Sequence, residues 1–166
     1  MPVIRDTIPL SHERRSRLLD ELEKAVAGSG PLGNPVIFES ALPGSRCDVL
    51  VVWEGWQGVG PDERTDIITA AYGERSPKIV QAMGVTYDEA VRDHLLPYVI
   101  QPCAREGEAD FDQLREAMLA EGAIVFGEGK VDLRFPSMRM AEAAFERLRA
   151  KLPQGYWSLA RETTDF

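Results

Sequence analysis

Histidine and cysteine are scarce in this chain, two of each among 166 residues. His12 and His94 stand far apart and neither has a ligand partner at i, i+4; Cys47 and Cys103 form no CxxC pair. That spacing excludes the common zinc motifs and a dithiol redox centre, and no metal or other cofactor is expected. Positive charge is also in deficit, with 19 Lys and Arg against 27 Asp and Glu, a net charge of −8. Such a balance works against generic binding to nucleic acid or to an anionic membrane surface. No apolar run approaches the ~20 residues that span a bilayer. The opening MPVIRDTIPLSHERRSR lacks the apolar core of a signal peptide. Two unclustered cysteines without such a signal fit a reducing cytoplasm, the expected location. Nucleophile signatures are missing too: there is neither a GxSxG elbow nor an SxxK pair.

What the chain has is the material of a soluble globular fold: 44% apolar and 28% charged residues. At this length a globule buries roughly 70% of the surface its unfolded chain exposes. The most apolar run, Val49-Leu50-Val51-Val52-Trp53, is rich in β-branched residues and reads as a strand buried on both faces. Gly55, Gly58 and Gly60 follow, with Trp56 among them, and then a helix start at Pro61. Proline suits the first helical position because its missing N–H would have no intrahelical partner. Asp62 and Glu63 add negative charge where the helix dipole favours it. Cys47–Gly73 therefore reads as strand, glycine-rich loop and helix.

Around this centre the remaining elements follow in order. Val3–Ile8 alternates as a short strand; Ser11 caps a helix to about Ala27 whose Leu18, Leu19, Leu22, Ala25 and Val26 share one face. Pro35–Leu42 and the central strand form a hairpin through Pro43-Gly44-Ser45. Lys78–Val85 is a strand, and Thr86 with Glu89 makes a capping box for a helix to about Leu96. Tyr98–Cys103 is an edge strand by virtue of Pro102. Arg105–Ala109 is a loop, and Asp110–Glu121 is a helix. Ala123–Phe126 and Lys130–Phe135 form a hairpin around Gly127-Glu128-Gly129. Ser137 caps a helix to about Leu152, and Tyr156–Arg161 is the last strand. Each half then runs strand, helix, strand, strand, helix, strand. The expectation is an α+β protein of two ferredoxin-like halves with antiparallel sheets, 1–96 and 97–166, joined by the Thr86–Leu96 helix, with one compact domain as the alternative.

Five residues near the glycine-rich loop are the candidate binding site: Glu54, Trp56, Gln57, Asp62 and Arg64. The loop is not GxGxxG and carries no GK[ST] ending, and Glu54, Asp62 and Glu63 would repel a phosphate. Trp56, an indole between glycines, is the leading contact residue, since tryptophan is favoured at interface hot spots. Glu54, set among indoles with Arg64 a helical turn away, is a candidate acid or base, or else an exposed carboxylate paired with Arg64. The arginines of the first and last helices interleave with acids and read as solvated faces. The function expected first is a non-catalytic binding protein that docks a protein partner; an inhibitory or immunity-type role against a basic partner fits the charge. The alternative is a small enzyme or ligand-sensing domain with a pocket near Glu54, Trp56 and Arg64. A homo-oligomer whose sheets pair across an interface is a third reading.

Overall fold

The computed structural model describes residues 9–74, 78–103, 111–127, 129–153 and 157–162. The strand expected over Val3–Ile8 and the loop expected over Arg105–Ala109 lie outside them, as does Tyr156. The class is α+β: five α-helices and two sheets, one of three strands and one of four, among the described residues.

Helix α1 (His12–Val26) starts where Ser11 accepts a hydrogen bond from the Arg14 backbone N–H. It precedes a hairpin of β1 (Val36–Leu42) and β2 (Arg46–Val52), paired from Val36 opposite Val52 to Leu42 opposite Arg46. Helix α2 (Pro61–Tyr72) has Pro61 in its first turn as expected, and carries the chain across to β3 (Lys78–Val85). A helical crossover returns the chain in the same direction, so β3 pairs parallel with β2. The first sheet is therefore mixed, not antiparallel throughout. Because β3 lies directly beside β2, with order β1-β2-β3, no further strand fits between them. The first half thus departs from the expected ferredoxin-like order.

Helix α3 (Tyr87–Arg92) has the expected capping box of Thr86 and Glu89 but stops short of Leu96; His94 follows with a positive φ of 55°. In the second half β4 (Tyr98–Pro102), α4 (Phe111–Ala120), β5 (Ile124–Phe126), β6 (Lys130–Phe135), α5 (Met138–Lys151) and β7 (Trp157–Arg161) build the sheet β5-β6-β4-β7, each neighbouring pair antiparallel. Strand β4 is central in it, not at an edge. Pro102 is tolerated because it is the last residue of the strand, opposite Trp157, where one missing N–H costs little.

Two apolar clusters follow from the period-2 alternation of β1 and β2. On one face of the first sheet, Cys47, Val49 and Val51 pack with Leu18 and Leu22 of α1 and Ile67, Ile68 and Ala71 of α2. On the other, Val36, Phe38, Val52 and Val85 join Ile100, Leu133, Phe135, Ala144 and Leu148 of the second half. The Phe38 and Phe135 rings meet edge-on at 6.2 Å between centroids. Among the described residues no helix is long and apolar enough to cross a membrane.

Candidate binding cleft

The loop after β2 turns inward. A single 3-10 turn, Glu54–Trp56, folds the chain back under the strand it leaves, and Trp56 is 0% exposed. Its indole N–H donates to the Val51 carbonyl at 3.2 Å, and its ring lies edge-on to Trp53 at 5.0 Å. Trp56 is thus a core residue and presents no face to a partner, contrary to its reading as the leading contact. Space around it is filled: a Cβ added at Gly84 would stand 3.0 Å from the indole and 2.9 Å from Arg64 Cβ.

Arg64 is buried as well, and its partner is Glu89 rather than Glu54. Its Nε donates to the Val59 carbonyl at 2.8 Å, Nη1 to the Gly84 carbonyl at 3.0 Å, and Nη2 to Glu89 Oε1 at 3.2 Å. A further bond from Nη1 to Glu89 Oε2 makes the pair bidentate. The guanidinium holds the Glu89 carboxyl below the usual carboxylate range, with the Thr86 backbone N–H adding to the effect and burial opposing it. Glu54 accepts from the Tyr87 backbone N–H at 3.0 Å and from Gln57 Nε2 at 3.4 Å. Gln57 and Asp62 are exposed, the latter in the first turn of α2. Of the five expected site residues, Asp62 stands in the first turn of α2 and Glu54 bonds the start of α3, while Trp56, Arg64 and Glu54 hold the loop and α3 in place.

From α3 the same lock reaches the second sheet. The Tyr87 ring stacks on Phe126 at 4.4 Å, and its hydroxyl donates to Asp132, which also accepts from Arg134 Nε at 2.6 Å. Burial, then the bond to Asp132, pushes the Tyr87 hydroxyl pKa up.

A cavity opens elsewhere, on the face of the first sheet that the second half covers only in part. Its volume is about 320 Å³. Three rungs run across β1, β2 and β3 on this face. Val36, Val52 and Val85 are buried in the core; Phe38, Leu50 and Met83 form an apolar floor; Ser40, Asp48 and Gln81 form a polar row. Leu95, Pro136, Ser137 and Met140 make the opposite wall. Ser137 is the N-cap of α5, accepting from the Met140 backbone N–H at 3.3 Å. Asp48 is the unusual member. Its Oδ1 is shielded from solvent and has no hydrogen-bond partner among the described residues. Arg46, two residues away on the same strand face, is turned aside, its Nε on the Pro43 carbonyl at 2.8 Å.

A concave, mainly apolar cleft with a few convergent polar groups has the character of a binding site. No histidine, cysteine, lysine or arginine is among the described residues that line it, and its polar row is Ser40, Asp48 and Gln81. Sequence reasoning passed over it. The available signal was polar Ser40 and Asp48 at positions of β1 and β2 where period-2 alternation calls for apolar ones; hairpin register then sets them opposite each other. Compared with known proteins, the chain matches no family model, no curated protein and no solved structure.

Proposed function

We propose that this is a non-catalytic binding protein, and that it docks a protein partner in the cleft between the first sheet and the start of α5. The observation that carries the reading is Asp48: a carboxylate oxygen withdrawn from water without a donor, in the wall of an apolar cavity. A partly buried carboxylate without a donor costs stability, and a partner that brings positive charge to it offsets part of that cost. The net charge of −8 favours a basic partner. The second half is further read as a ferredoxin-like unit. Its order β4-α4-β5-β6-α5-β7, with β4 and β6 central, supports this.

The test is capture by the immobilised full chain from extract of the native host. Met83, 39% exposed on the cleft floor, is changed to Arg in one variant, and exposed Gln57 to Arg in another. A stoichiometric protein held by the wild type and by Gln57→Arg, but lost by Met83→Arg, is the expected result. Loss with Gln57→Arg and retention with Met83→Arg would move the site back to the glycine-rich loop.

A further inference from the structure

We infer that the partner enters the cleft with a lysine or arginine side chain, its aliphatic stem on Phe38, Leu50 and Met83 and its charged head at Asp48. The inference rests on the cleft being the docking site. Long basic side chains lay an apolar stem along apolar surface and keep a charged head at a polar end. The cleft has that polarity, with an apolar rung leading to the row Ser40, Asp48 and Gln81.

Three observations select a cation. An ionised carboxylate with a shielded, unpartnered oxygen is compensated best by a charged donor. The incoming group meets the carboxylate at its other oxygen, which is not shielded in this way, and compensates the charge that the two oxygens share. The Ser40 hydroxyl and the Gln81 side-chain carbonyl flank Asp48 in register and can accept the remaining N–H groups of an ammonium or guanidinium. Arg46, two residues along the same strand face, is committed to the hairpin turn. One feature pulls the other way: the N-terminus of α5 at the opposite wall favours an anion. Its partial charge is about half a unit, and Ser137 already caps it, so the full charge of Asp48 prevails.

The experiment titrates the ¹⁵N-labelled full chain with blocked tripeptides whose central residue is lysine, arginine, norleucine or glutamate. Norleucine retains the stem and lacks the charge. The lysine and arginine peptides should bind about tenfold or more tightly than the norleucine peptide, the gain typical of a charge-assisted hydrogen bond. The backbone signals that move should be those of Ser40, Asp48 and Gln81. Asp48→Asn, with Asp48→Ser as a second variant should Asn disturb folding, should reduce the lysine peptide to the affinity of norleucine at a melting temperature no lower than that of the wild type. Equal binding of lysine and norleucine in the cleft overturns the cation and leaves the docking site standing. An advantage for lysine that survives in both Asp48 variants overturns it as well. No movement of any cleft signal, together with partner capture indifferent to Met83→Arg, overturns both.

Discussion

Trp56 has two ways to satisfy its amphipathic ring, as a contact on the surface or as a plug with its N–H bonded inside. The structure takes the second, with the N–H on Val51 and the ring against Trp53 and Gly84. Removing it empties a fully buried site and takes one hydrogen bond from the Val51 carbonyl. Trp56→Ala should therefore lower the unfolding free energy by about 3–5 kcal/mol, seen as a fall in the denaturant midpoint; a loss under about 1 kcal/mol would return the indole to the surface. The glycines around Trp56 were legible as a loop. The direction of the side chain was not, because it depends on the 3-10 turn and on the vacancy above Gly84, which comes from a strand 28 positions away in the chain (84 − 56). Arg64 shows the same limit. Its place one helical turn into α2 was legible, but its partner was set by the packing of α3, not by nearness in sequence to Glu54.

Helix α3 illustrates how one short element gains weight from its contacts. Six residues make a marginal helix in isolation. Here its capping residue Glu89 grips Arg64, its first backbone N–H groups reach Glu89 and Glu54, and its first side chain stacks on the second sheet. The capping box was plain in the sequence, since it is local; the second role of Glu89 was not, since it is tertiary. Arg64 and its neighbour Thr65 also protect the edge strand β3, bonding the Gly84 and Ala82 carbonyls at 3.0 and 3.1 Å. Filling edge acceptors with side chains removes a template for unwanted strand pairing. The pH dependence of the Arg64–Glu89 pair follows from its sign. Glu89 is held below its unfolded value, so its contribution is complete above the usual glutamate pKa of about 4.3 and is lost as pH falls through the lower folded value. The gap in melting temperature between the wild type and Glu89→Gln should accordingly be constant from neutral pH down to about 5 and close in more acid solution. A gap that persists at low pH would mean that the carboxylate charge contributes nothing.

For the whole molecule the decisive feature is the cluster that takes side chains from both halves. Val36, Phe38, Val52 and Val85 have as their covering layer Leu96, Ile100, Leu133 and Phe135, and the Val125 backbone N–H bonds the Gly33 carbonyl at 3.1 Å. Gly33 is required at that junction: its φ is +81° and a Cβ would fall 2.5 Å from the Ala123 carbonyl oxygen. Separating the halves would expose the outer face of the first sheet. Unfolding should therefore be one transition. In the ¹⁵N-labelled wild-type chain, amide signals of β2 and of β4 should be lost at the same denaturant midpoint; midpoints that differ would show two units that fold independently. The cleft is the unfilled end of this shared layer, where β1–β3 extend past the cover that Leu95, Pro136 and Met140 supply.

Among the described residues, most of the local structure was legible in the chain's own caps, turns and periodicity. Pro61 and Ser137 start their helices, Gly44 and Ser45 turn the first hairpin, and Lys78–Val85 is a strand to the residue. These depend on caps, turns and periodicity, which act over a few positions. Tertiary structure alone decided that β3 lies parallel beside β2, that β4 is central, that Trp56 points inward and that Asp48 lines a cleft. Each of these is settled by apolar area contributed from distant parts of the chain, and burial of that area does not depend on sequence order.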